Sequence, residues 1–251
     1  MVGIGEKGLM EATLTAQGGG GHASMPPKQT AVGILSQAVA NVERHPFPAR
    51  ISRPVQELFN NVGRHAPFAL RIVFANLWCF GGLLKALGQK LGCELNAMMR
   101  TTAAATMVEG SKQSNVLPSS AKAILNVRLL NPDTPEDVLA HLRKAVDDPR
   151  VEVAMNHGRP ASPYADTHCP QWDVLRKAIG QTWGEAIVSP YLMMACSDSY
   201  QFSAICKNVY KFSAMAMTKE ERGLLHNNNE RIRVENVGRT VEFFTRLMLE
   251  L

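Results

Sequence analysis

Cysteine is scarce and never closely spaced: the 251 residues hold five, and no two form a C-x-x-C pair. An odd count in a chain of this length argues against a disulfide framework. A reducing compartment, and with it the cytoplasm, is the expectation unless a targeting signal lies upstream. The N-terminus does not combine a charged start, an apolar run and a small-residue cleavage site. Long apolar runs are missing too. The most apolar window, Phe68 to Leu87, carries Arg71, Lys85 and a Gly81-Gly82 break, short of the roughly 20 uninterrupted apolar residues of a membrane span. A buried or partner-facing helix is expected there, with a membrane-surface helix as the alternative. Basic runs interleaved with aromatics are also absent, so the net charge of +5 and pI near 9.0 favour anionic small molecules over nucleic acid as partners.

What is present is ordinary soluble sequence, 45% hydrophobic and 20% charged, enough to bury a core in one or two domains. Leu9 to Gln17 alternates in the manner of a half-buried strand. Ala31, Leu35, Ala38, Val39 and Val42 recur at helical spacing behind Thr30, a predicted N-cap. Residues 45–96, with Pro46, Pro48, Pro54 and Pro67, depart from this rhythm and read as an insertion. The rhythm resumes with strands over 98–110 and 121–129, a helix opened by Thr134 and Pro135, and a strand over 151–156. Strand, helix, strand, strand, helix, strand is the split βαβ, ferredoxin-like order.

A second unit is predicted from about Pro160. It offers a helix over 171–183, strands over 186–193 and 208–214, and a last helix from Val234 to Leu251. In that helix Val234, Val237, Val241, Phe244, Met248 and Leu251 form a stripe fit to lie against a sheet. Two strands are few for an independent core, so the unit reads as incomplete.

The stretch GGGGHASMPP, residues 18–27, has the glycines of a phosphate loop but lacks its Lys and Ser/Thr, and Pro26-Pro27 delay the helix. Two readings remain. The glycines form a plain flexible bend, or they let the chain turn tightly beside a ligand and present His22 as a hydrogen-bond donor or proton carrier.

Four further stretches accompany it: EKG (6–8), RTTAAATMVEGSKQSNVLP (100–118), NVRLLNPDT (126–134) and LLHNNNERI (224–232). In this order they make the chain resemble the zinc-dependent metallopeptidases that include aminoacylase, succinyl-diaminopimelate desuccinylase and carboxypeptidase S. The long insertion is most similar to the carboxypeptidase S and N-acyl-amino-acid amidohydrolase branch. The resemblance implies an α/β protein with a ferredoxin-like lid and dimerisation domain over 1–158, helical insertion at 45–96, and the C-terminal part of a catalytic domain over 159–251. It implies hydrolysis of the amide bond of N-acyl amino acids or small peptides by a homodimer holding two zincs. His22 would reach a dimer mate's active site and stabilise the oxyanion, with Asn115 assisting. Arg128 would grip the substrate carboxylate. Asp198 would lie near the site in the turn ACSDSYQF, although relatives show glycines where Ala195 and Cys196 stand. His226 would be a zinc ligand. On the residues alone, Asp198 reads equally as a loop or helix cap and His226 as a surface histidine in an Asn-rich turn.

One departure from the family pattern has chemical weight. A two-zinc hydrolase needs about six ligands and a general-base carboxylate, which the family draws mainly from an H-x-D motif, a following Asp and a Glu-Glu pair upstream of EKG. None of the seven histidines here starts an H-x-D triplet, and the one Glu-Glu pair, Glu220-Glu221, lies in a late loop. The expectation is a chain inactive alone that holds zinc weakly if at all. The alternative is a non-catalytic dimerisation or ligand-binding module.

Overall fold

The computed structural model describes residues 1–88 and 92–251. The chain opens with two strands that diverge across one residue. β1 (Val2–Glu6) and β2 (Gly8–Gln17) are separated by Lys7 alone, yet they enter different sheets. Gly8 permits the change of direction, because a Cβ there would lie 2.5 Å from the Arg159 carbonyl oxygen. Then follow β3 (Gly21–His22), α1 (Ala31–Arg44), α2 (Arg53–Gly63), α3 (Phe68–Ala75), α4 (Leu77–Leu87), α5 (Cys93–Met99), β4 (Thr102–Glu109), β5 (Val116–Leu117) and β6 (Ser120–Leu129). The chain closes with α6 (Pro135–Val146), β7 (Val151–Arg159), α7 (Pro170–Thr182), β8 (Pro190–Met193), α8 (Ser199–Phe202), α9 (Lys219–Arg222) and α10 (Val234–Leu249).

The main sheet is antiparallel in the order β4-β6-β2-β7, with the βαββαβ succession that the alternation predicted. Met10, Ala12, Leu14 and Ala16 of β2 and alternate residues of β6 turn to one face. There they meet Ile34, Leu35 and Ala38 of α1 and Val138 and Leu142 of α6. Both helices start where their caps demand. Thr30 accepts from the Gly33 N–H at 3.1 Å, and Thr134 and Asp137 form a reciprocal capping box.

The insertion differs from its expectation. The apolar stretch is two helices, α3 and α4, bent by 102°, and the break falls at Asn76 rather than at Gly81-Gly82. The Asn76 side chain donates to the Ile72 carbonyl at 2.8 Å. That bond competes for the backbone of the last turn, as short polar side chains do. Gly81 instead lies inside α4, against Ile51. The insertion also runs further than residue 96, because α5 carries Met98 and Met99 into its core with Val55, Leu58 and Phe59, and β4 begins only at Thr102.

The second unit is built on β1 and β8, paired in parallel, with Lys211 bridging to Gly3 on the other side. Residues 2–6 therefore belong with this sheet. Of the two predicted strands, one shortens to β8 and the other is reduced to the Lys211 bridge. The stripe predicted on α10 is corrected outright: Val234, Val237, Val241, Phe244, Met248 and Leu251 are all exposed. The adjacent face is the buried one: Phe243 packs on Trp183 and Phe212, while Asn236 exchanges hydrogen bonds with the Ala216 backbone.

Candidate active site

The glycine run leaves β2 and brings His22 to Asn115. Gly18 packs where a Cβ would meet the Ala31 nitrogen at 2.9 Å, and Gly21 takes a φ of 155°, which disfavours a side chain. The chain then forms β3 against β5, pairing Gly21 with Leu117 and His22 with Val116, and the Ala23 N–H donates to the Asn115 carbonyl at 2.9 Å. His22 and Asn115 are both exposed at this end of the sheet. The Ser24 backbone N–H donates to His22 Nδ1 at 3.2 Å, and the Ser24 hydroxyl lies 2.7 Å from the same nitrogen. An amide can only donate, so Nδ1 is the acceptor and the neutral ring carries its proton on Nε2. That leaves Nε2–H as the free donor of an exposed imidazole.

Arg128 stands at the other end. It lies in the β6 ladder opposite Leu9 of β2 and Thr102 of β4, whereas β3 follows the far end of β2 beyond Gln17. Eight residues of strand at about 3.4 Å each place it roughly 27 Å along the sheet from that end. Its Nη1 donates to Cys196 Sγ at 2.9 Å and its Nε to Asn126 Oδ1 at 3.1 Å. Arg128 is thus brought to the ACSDSYQF turn, where Asp198 also lies. Asp198 is exposed at the N-cap position of α8 and makes no side-chain cap bond.

Two charged residues, Glu6 and Arg159, hold this turn in place, and a third, Lys7, is buried beside them. The fully buried Glu6 carboxylate accepts from Ser197 Oγ at 2.8 Å, from Ser199 Oγ at 3.1 Å, and from both terminal nitrogens of Arg159 at 3.2 and 3.3 Å. The Arg159 guanidinium in turn lies 3.8 Å over the Tyr200 ring, a cation–π contact that restrains the turn from its other side. Lys7 is also buried. Its Nζ donates to the carbonyls of Ala97 (3.1 Å) and Arg100 (2.9 Å) and to Thr102 Oγ1 (3.1 Å). Burial, and then the Arg128 guanidinium, push its pKa down to about 7, against the pull of Asp133 and Cys196. The available signal was the pair Glu6-Lys7 itself, two charges interrupting an otherwise apolar and glycine-rich strand.

His226 stands apart from these groups. It occupies a turn between α9 and α10 with a left-handed φ of 59°, exposed, its backbone N–H bonded to Glu230 Oε2 at 3.3 Å. Among the described residues no group of three or more His, Cys, Asp and Glu side chains could hold a metal ion. The described residues therefore do not by themselves fit a zinc site, and His226 is at most a single ligand.

Comparisons with known proteins identify the family. The family model described as a peptidase dimerisation domain matches residues 4–154. The chain is 32% identical over 250 residues to a carboxypeptidase S-like protein of Dictyostelium discoideum, covering 98% of this chain and 47% of that protein. It is also 32% identical over 250 residues to an N-fatty-acyl-amino acid synthase/hydrolase of Xenopus tropicalis, covering 99% and 49%. The chain thus spans about half the length of the curated relatives it matches. The fold is that of human carnosine dipeptidase 1 (TM-score 0.62, 12% identity, 99% of this chain and 56% of that one). It is likewise that of an M20 family metallo-carboxypeptidase from Sulfolobus solfataricus (TM-score 0.60, 15% identity, 100% and 60%). The chain belongs to the M20 family of metallopeptidases and carries its peptidase dimerisation domain.

Proposed function

We propose that this chain supplies the dimerisation domain and the carboxylate-binding end of a zinc-dependent amidohydrolase acting on N-acyl amino acids or small peptides with a free carboxylate. The observation that carries the reading is the division of the polar groups between opposite ends of one sheet. His22 and Asn115 form a donor pair at one end, and Arg128 with the ACSDSYQF turn lies at the other. One chain cannot bring both to one substrate of that size, whereas two chains paired through their dimerisation domains can, each lending His22 and Asn115 to the other. Relatives named as carboxypeptidases and N-acyl-amino acid hydrolases support the substrate class. Arg128 would fix the carboxylate with its planar fork. The His22 Nε2–H and the Asn115 amide would donate to the oxygen that gains charge as the amide carbonyl is attacked. Zinc would polarise that carbonyl and activate water, but no group able to hold it is found among the described residues, with His226 at most one ligand, and the chain alone is expected to be inactive.

The test is complementation in the zinc-loaded dimer. His22→Ala and Arg128→Ala enzymes are each expected to be inactive, and mixing them under conditions of subunit exchange should restore hydrolysis of an N-acyl amino acid, since half the sites of a mixed dimer are intact. No recovery in verified mixed dimers would refute sharing of the site. Native material is expected to exceed 27.5 kDa and to carry zinc. A metal-free chain of that mass would favour the second reading, a dimerising module without catalysis, which the lack of a metal-holding group among the described residues supports.

A further inference from the structure

The α3–α4 pair is the part of the molecule that the proposed chemistry leaves unused. Its inner side is ordinary core: Val73, Phe74 and Leu77 lean on Phe59 and Leu58 of α2, with the Phe59 and Phe74 rings stacked at 4.8 Å. The outer side is apolar as well. Trp78 is 86% exposed and Phe68 77%, and Leu70, Ile72 and Leu83 are exposed with them. Phe68 and Ile72 are four residues apart on α3, so they share one helical face.

Charge distinguishes this surface from the other exposed apolar face, that of α10, where Glu235, Glu242 and Glu250 mix with Arg239 and Arg246. From residue 58 to residue 93 the sequence contains no Asp or Glu. Every fixed charge in that stretch is positive, including the exposed Arg64, Arg71 and Lys85. The nearest acids in sequence flank it. Glu57 is engaged by Arg53 and Thr167, and Glu94 lies in the first turn of α5. Arg64 and Arg71 also line a groove of about 530 Å³ between α2 and α3, together with Asn60, Phe59 and Phe74.

Exposed tryptophan, phenylalanine and leucine beside basic side chains, with no acid among them, is the composition of a helix that lies in a membrane interface. Among the described residues no single helix is long and apolar enough to cross a bilayer. α4, the longer helix, has 11 residues, about 16 Å of rise against a hydrocarbon core of about 30 Å, and the 102° bend keeps the pair from adding end to end. We propose that the α3–α4 face docks on the surface of an anionic lipid bilayer, with Phe68, Ile72, Trp78 and Leu83 entering the interface and Arg64, Arg71 and Lys85 meeting the headgroups. The apolar side chains supply partitioning, and each basic residue near an anionic surface adds roughly fivefold.

The experiment is flotation of the 251-residue chain with phosphatidylcholine vesicles with and without phosphatidylserine. Binding is expected to require the anionic lipid and to weaken with salt. Tryptophan emission should shift to the blue on binding through Trp78, because Trp172 is buried and Trp183 partly so. Trp78→Phe should retain binding and lose the shift. Phe68→Ser with Trp78→Ser should abolish binding, while Arg64→Gln with Lys85→Gln should weaken it by about twentyfold or more. All of these positions are exposed, so unchanged circular dichroism and thermal melting are expected. Three results would overturn the proposal: no flotation, equal flotation with and without phosphatidylserine, or a vesicle-independent dimer that the Phe68/Trp78 variant dissociates.

Discussion

Replacing Lys7 by methionine keeps an unbranched side chain in place and removes its proton chemistry. In the unfolded chain the ammonium has its ordinary value of 10.5, and in the folded protein burial and Arg128 push it down to about 7. Between these values the unfolded chain still holds a proton that the folded chain has released. Stability therefore rises with pH, by up to about 1.4 kcal/mol per pH unit. This contribution is fully present above the unfolded value and is lost as pH falls through about 7, where both states become charged. Over the whole interval it sums to about 5 kcal/mol, comparable with the total stability of many domains. Lys7→Met should abolish the slope. It also strips the Ala97 and Arg100 carbonyls of a donor, at roughly 1 to 3 kcal/mol each where no water replaces it. Urea denaturation should find the variant clearly less stable at about pH 9 and the deficit narrowed at about pH 6, the sign that a depressed lysine dictates. Every other titrating group is common to both proteins, so it cancels in the difference. Stability curves for variant and parent that run parallel over that range would refute the assignment of a desolvated ammonium to this position.

Glu6→Gln leaves Arg159 facing an amide and is expected to cost about 3 to 5 kcal/mol, as breaking a buried ion pair does; a loss under about 1 kcal/mol by urea denaturation would show that the network around Ser197 and Tyr200 does not hold the turn. On α10, Phe243→Ala should cost about 3 to 5 kcal/mol and Val241→Lys less than about 0.5. The reverse ranking in thermal melts would restore the buried stripe that the sequence predicts. In the metal-loaded enzyme, His22→Ala should lower kcat about a hundredfold or more with zinc content unchanged. An unaltered rate would remove His22 from oxyanion stabilisation.

Much of the first unit was legible because its signals are local. Alternation in Leu9–Gln17 and 121–129, helical spacing after Thr30, and the Thr134-Pro135 start each describe a segment that the structure places as expected. The five short motifs in order likewise carried the family. Other features needed the third dimension. The break in the apolar stretch falls at Asn76, whose side chain bonds the Ile72 carbonyl, and not at the glycine pair, which lies inside α4. α10 has two apolar faces, and periodicity cannot rank them; the aromatic contacts of Phe243 with Trp183 and Phe212 did.

The candidate site divides in the same way. His22, Asn115, Arg128, Asp198 and His226 could be named from motifs, but not which of them meet. Pairing of β3 with β5 joined His22 to Asn115, the β6 ladder carried Arg128 to Cys196, and His226 was left alone in its turn. Glu6 and Lys7 were named only within the EKG stretch, and residues from 97 to 199 supply their partners. The sequence by itself determined the segments, their caps and the inventory of reactive side chains, since these depend on neighbours within about one helical turn or one pleat. Only the tertiary structure decided which apolar face is buried and which charges are satisfied, because burial and pairing energies arise between residues far apart in the chain.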